Sequence, residues 1–230
     1  ARMFWELTYV PEWVYETAVA GAHVLRLVKA GKVGEDPGQY LWWACRAGLD
    51  LPVIRGLAEK SVGKRFRLHP YRYIIECAAK GAAMGGHAVV LDLVASEFGA
   101  KIDVGCLNEA AARGHNAMID HLVEEYGVDP DGVDEMDENG CTALLCAACR
   151  GRVRTVEHLV EKYNVDIHKR TDWGGKTALD FAKWLGRTGC VAVLRGYGAK
   201  TGEELEEEAS TESDDDWETD DNSDADHDVM

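Results

Sequence analysis

The sequence predicts an all-α chain: a solenoid of about six irregular helix–turn–helix units, followed by a disordered acidic C-terminal tail. Three observations predict it. Two ten-residue strings, TALLCAACRG at 142–151 and TALDFAKWLG at 177–186, align without gaps 35 residues apart. Six glycines, at 21, 48, 86, 114, 151 and 186, punctuate the chain at a mean spacing of 33 residues. The charge is also split: of 41 carboxylates, 15 lie within 203–228, and no Lys or Arg follows Lys200. Repetition at such a period marks stacked units, none of which can bury its apolar face alone.

Taken in order, the units are written with different clarity. Around Gly21 the pattern is poorest, with Val24, Leu27 and Val28 offset, so 1–38 reads as a degenerate first repeat or an N-terminal cap. The string LWWACRAG at 41–48 precedes Val53, Ile54 and Leu57. Around Gly86 only the second half is clear, with Leu91 and Val94 five and eight residues on. The first half is blurred, and GAAMGGH at 81–87 reads as a degenerate turn between helices. LNEAAARG at 107–114 precedes Ile119, Leu122 and Val123. The last two units place Val156 and Leu159, then Val191 and Leu194, five and eight residues beyond their glycines. A Leu with an Ala three residues later keeps one helical face apolar, and the later apolar pair gives the second helix its own face. The intervening Gly turns the chain, as a left-handed helix end allows.

The strings TALLCAACRG, TALDFAKWLG and LNEAAARGHNAMIDHLVEEYGVD resemble the ankyrin repeat. DENG at 137–140 and DWGGKT at 172–177 resemble that family's β-turn finger, and Gly–Asp content is turn chemistry in its own right. Residues 39–202 are thus assigned to ankyrin-like repeats. The chain departs from the family in having Ala143 and Ala178 where Pro follows Thr, and Trp42, Asn108, Leu145 and Asp180 where His follows Leu. The resemblance implies a non-catalytic scaffold or adaptor that binds a protein partner in a concave groove. Mapping the repeat gives the groove residues: Trp43, Glu109, Cys146 and Phe181 in mid-helix, and Arg46, Arg113, Arg150 and Trp184 before the turn. Finger tips add Asn139, Arg170, Asp172 and Trp173.

Composition narrows the function classes. The whole chain carries −16, but outside the tail 26 acids oppose 25 bases. Nucleic acid is therefore not an expected partner, since like charges repel and little counterion release drives association. No apolar run reaches the length of a membrane span. The N-terminal stretch carries Glu6, Glu12 and Glu16 and lacks the apolar core of a secretory signal. Seven cysteines at irregular spacing point to reduced thiols and a cytoplasmic or nuclear setting. Cys146-x-x-Cys149, near Cys141, lacks the second half of a four-ligand zinc site. His87 and His115 follow turn glycines, where the family often has a structural His. GAAMGGH lacks the Lys-Ser/Thr of a phosphate loop. The expectation is no enzyme, no cofactor, no metal, no membrane contact and a monomeric body.

Two charged segments stand apart. The stretch 60–72 holds Lys60, Lys64, Arg65, Arg67 and Arg72 among Phe66, Tyr71 and Tyr73. It reads as a solvated loop, a grip for RNA or an acidic partner, or a seat for the chain's own tail. The acidic tail, 203–230, is expected to be disordered. Within it Thr211, Ser213 and Ser223 each precede an Asp by three residues, a spacing that resembles acidophilic kinase sites. Two alternative functions follow: a histone-chaperone-like binder of basic proteins acting through the tail, or an adaptor subunit of a ubiquitin ligase docking through Phe4, Trp5 and Trp13.

Overall fold

The computed structural model describes Arg26, 37–62, 69–131, 141–171 and 174–212. Among the described residues there are eleven α-helices and no strand. Ten of them form five consecutive pairs: α1 (Pro37–Arg46) with α2 (Leu51–Val62), α3 (His69–Gly85) with α4 (Ala88–Phe98), α5 (Val104–Arg113) with α6 (Asn116–Tyr126), α7 (Ala143–Cys149) with α8 (Val153–Tyr163), and α9 (Ala178–Trp184) with α10 (Thr188–Gly196). The eleventh, α11 (Gly202–Glu212), follows alone. The unit expected around Gly21, segment 63–68 of the basic stretch, and the DENG finger lie outside the described residues.

The first helices α5, α7 and α9 begin where their sequences supply a side-chain N-cap. The Thr142 side chain accepts from the Leu145 amide at 3.2 Å. The Asp103 carboxylate accepts from the Cys106 amide at 3.3 Å. Thr177 and Asp180 form a reciprocal capping box, with the Thr177 amide donating to Asp180 at 2.9 Å. The Thr of each TAL string therefore closes amides that a helix start leaves open. Gly48, Gly86, Gly114, Gly151 and Gly186 end the first helices at φ between +61° and +87°, the left-handed region where a side chain costs about 1–2 kcal/mol.

The residue after three of the turn glycines, Gly114, Gly151 and Gly186, ties its unit to the one before. Arg152 donates from Nε to the Ala112 carbonyl at 3.1 Å, and Arg187 to the Cys149 carbonyl at 3.0 Å. His115 makes the equivalent bond with the Met84 carbonyl at 3.0 Å. The accepting carbonyls belong to the last turn of a helix, where no intrahelical partner exists.

Consecutive first helices pack on one another from α1 to α9 and bury Leu41, Leu107, Leu144 and Leu179. Each second helix closes its own pair with residues such as Ile54, Leu91, Ile119, Leu159 and Leu194. Neighbouring second helices stand further apart and are joined by a polar ladder. Asp92 takes Tyr126 at 2.7 Å and His121 at 2.7 Å. Asp120 takes Tyr163 at 2.6 Å and His158 at 2.7 Å. Tyr197 donates to Glu161 at 2.6 Å. The closer layer is the inner side of the stack, so the first helices line it.

Two expectations are corrected. The stretch 81–87 is not a turn throughout: α3 continues to Gly85, and only Gly86 reverses the chain. The inner glycine serves close packing instead, because a Cβ on Gly81 would sit 2.8 Å from the Trp42 carbonyl oxygen. The acidic segment does not begin as unstructured chain either, since 202–212 is helical. Thr201 caps it, accepting from the Glu204 amide at 3.2 Å while Glu204 accepts from the Thr201 amide at 2.9 Å. Its acids meet bases: Glu203 with Lys176, Glu204 with Arg195, Glu206 with Arg170, and Glu208 with Lys200. Composition alone made this run unable to fold, and tertiary ion pairs plus a favourable helix start reverse that.

The Glu204 carboxyl is held down at about 2 by the Arg195 guanidinium and the Thr201 amide. A folded-state value below the ordinary 4.5 stabilises the helix above that pH and is lost as pH falls toward 2. Acidification from about pH 5 to about pH 3 is therefore expected to lower the amide protection factors across 203–212, taken against the intrinsic exchange rate at each pH, before those of the repeat helices respond. Glu204→Gln should produce the same local loosening at neutral pH. Equal protection of α11 in the variant and the parent would contradict this.

Candidate interaction surface

The inner face is built from one position type on each first helix. Five residues before the turn glycines 114, 151 and 186 stand Glu109, Cys146 and Phe181, all half-buried. Just before the glycines stand Arg113, half-buried, and Arg150 and Trp184, exposed. This spacing of about one helical turn keeps both positions on one side. The centre is cationic. Burial raises the Glu109 carboxyl, while Arg113, Arg150, Lys80 and Arg46 pull it back down. Four units therefore converge their charges on this one acid. Arg113 also reaches the Met84 sulfur at 3.7 Å.

The C-terminal end is apolar. Trp184 is 78% exposed, and Leu185 beside it is also exposed. Phe181 meets Trp184 edge to face, with ring centroids 6.4 Å apart.

Three predicted positions are placed differently. Trp43 is only 9% exposed and belongs to the core. Arg46 is 4% exposed, with its guanidinium 5.2 Å from the ring centres of both Trp42 and Trp43. Adjacent helix residues point about 100° apart, and here Trp42 and Trp43 contact each other edge to face while Trp43 turns inward. Arg46, three residues on, follows it. Neither side chain can be grasped directly from the groove. Arg170 is not a bare finger tip, since Nε donates to the Gly175 carbonyl at 2.9 Å and the guanidinium pairs with Glu206. Asn139, Asp172 and Trp173 lie outside the described residues, as do Ser213, Ser223 and the Thr211 side chain.

Lys80 and Met84 were missed by the sequence reading. Counting back five and two residues from Gly86 lands on Gly81 and Met84, so the repeat offsets point to Met84 and not to Lys80. The Met84 signal was hidden because glycine fills the mid-helix position. Asn108, at the position where His departs, bridges α5 to the next finger by donating to the Cys141 carbonyl at 2.9 Å.

Burial pushes the Cys149 thiol up to about 11, and the Cys45 and Cys106 thiols to about 12. These groups stay protonated at neutral pH, which suits packing rather than nucleophilic attack. Among the described residues no group of three or more His, Cys, Asp or Glu is placed to hold a metal ion. No described helix is long and apolar enough to cross a membrane.

Helix pairs, left-handed glycines and a continuous inner layer of first helices define a repeat solenoid with an open inner face. Residues 107–204 match the family model described as ankyrin repeats (3 copies), and over this part the chain is similar to an ankyrin-repeat array. Ankyrin repeats generally mediate protein–protein interactions. No curated protein matches the chain.

Proposed function

We propose that the chain is an interaction scaffold that holds a protein partner on the inner face of its ankyrin array. The observation that carries this reading is the exposed Trp184, stacked edge to face on Phe181 at the end of a cationic strip. A large exposed aromatic with a packed neighbour offers rigid apolar area and little ordering cost on binding. The open, extended shape suits a macromolecule better than a small substrate, which needs a concave pocket around most of its surface. Glu109, Arg113, Cys146 and Arg150 form the middle of the contact and Phe181 with Trp184 its anchor.

Trp184→Ala is expected to weaken partner binding by about 1–2 kcal/mol, roughly fivefold to thirtyfold in Kd, with an unchanged melting temperature. Titration calorimetry with a partner captured from the native source measures the first, and thermal unfolding the second. Unchanged affinity would remove Trp184 from the contact.

A further inference from the structure

We propose that the cationic inner face is the docking surface for the chain's own acidic segment 213–230, so that the groove is filled in cis until a partner displaces it. This rests on the inner face being the binding surface. The first part of the acidic run already shows the behaviour: Glu203, Glu204, Glu206 and Glu208 each lie on a base of the last repeat. The next bases along the inner face are Arg150, Arg113 and Lys80, with Arg46 beneath them, and they face the carboxylates of Glu109 and, at the finger edge, Asp103.

The continuation of the run, SDDDWETDDNSDADHDVM, holds nine acids, no Lys or Arg, and the single aromatic Trp217. An aromatic among acids is the chemical complement of Phe181 and Trp184 beside arginines. Geometry permits the docking. α11 starts against α9 and its finger: the Gly202 amide donates to Asp180 at 2.8 Å, and Thr177 donates to the Lys200 carbonyl at 2.9 Å. Eighteen residues follow Glu212, and they span up to about 60 Å when extended. Crossing from α9 to α3 takes three helix spacings, about 30 Å, and returning along the eleven residues of α11 adds about 15 Å, still within reach. Tethering at this length holds the segment near millimolar effective concentration, enough to favour even a weak ionic contact.

Zero-length carbodiimide coupling of the full chain, mapped by peptide mass, tests this. The pairs Lys176–Glu203 and Lys200–Glu208 act as internal standards. Lys80 is expected to become joined to a carboxylate of 213–230 within the monomer. Relative to the standards, that yield should fall about tenfold near 0.5 M salt, where the screening length is about 4 Å. It should fall similarly in Arg113→Glu/Arg150→Glu. Asn replacement of Asp214, Asp215, Asp216, Asp220 and Asp221 should abolish it from the other side. Standards that couple while Lys80 never joins the segment would overturn the proposal, and so would a link confined to covalent dimers. A Lys80 link in a chain whose partner binding ignores Trp184→Ala would instead sink the partner reading alone. Missing links with a partner lost on Trp184→Ala would sink only the self-docking.

Discussion

Leu144→Ala is expected to cost about 2–5 kcal/mol of stability, the range for removing a large buried aliphatic side chain. Leu144 is 3% exposed and sits on α7, which packs on both α5 and α9. Truncation leaves a hole between two neighbours at once, and backbone caps on Thr142 limit how far α7 can slide to fill it. Because stability in a stack is a sum over units and their joints, weakening the joint at α7 should also separate the two ends. Urea unfolding followed by circular dichroism is expected to show an earlier midpoint and a broadened transition. A loss below about 1 kcal/mol would mean that the site collapses freely.

Gly85→Ala is expected to destabilise by about 1–3 kcal/mol, against the ordinary helix trend. Alanine in a helix interior is normally better than glycine by up to about 1 kcal/mol. At Gly85, however, an added Cβ falls inside contact distance of the Arg46 carbonyl oxygen and 2.6 Å from His87 Cδ2. The obstacle is main chain, so no rotamer change relieves it, and α3 must move off α1. Gly56→Ala supplies the contrast, since an added Cβ there meets nothing within 4 Å. That variant, in the middle of α2, should gain stability by a few tenths to about 1 kcal/mol. Thermal unfolding of the two variants side by side separates propensity from packing, and a stabilised Gly85→Ala would refute the close approach of α1 and α3.

Much of this fold could be read from one chain because its determinants are local and repeat. The Thr caps of α7 and α9, the buried Leu of α1, α5, α7 and α9 and the turn glycine seven residues after it recur at fixed offsets, and the structure uses each in the same way. The half-buried or exposed first-helix positions proposed as the contact, Glu109, Arg113, Cys146, Arg150, Phe181 and Trp184, recur at similar offsets from their glycines. What escaped depends on distant residues. Trp43 and Arg46 turn inward because Gly81 lets α3 close against Trp42, a fact written 38 residues away from Trp43. The helix at 202–212 depends on Lys176, Arg195, Arg170 and Lys200, which are scattered over 31 residues and follow no period. Acidic composition is a local signal, and here a non-local one overrides it.

The ties made after the turn glycines have a consequence for how such a chain grows. Arg152 and Arg187 are recognised only through main-chain oxygens, those of Ala112 and Cys149. A carbonyl is the same in every amino acid, so a copied segment of one whole unit brings a donor for the old neighbour and an acceptor for the next. At this tie both seams heal without any compensating substitution, whereas the Asp120 bonds to His158 and Tyr163 must find their own partners. A partial copy would shift donor and acceptor out of register at once. The array is thus open to lengthening by duplication in whole steps, and closed to it in fractions.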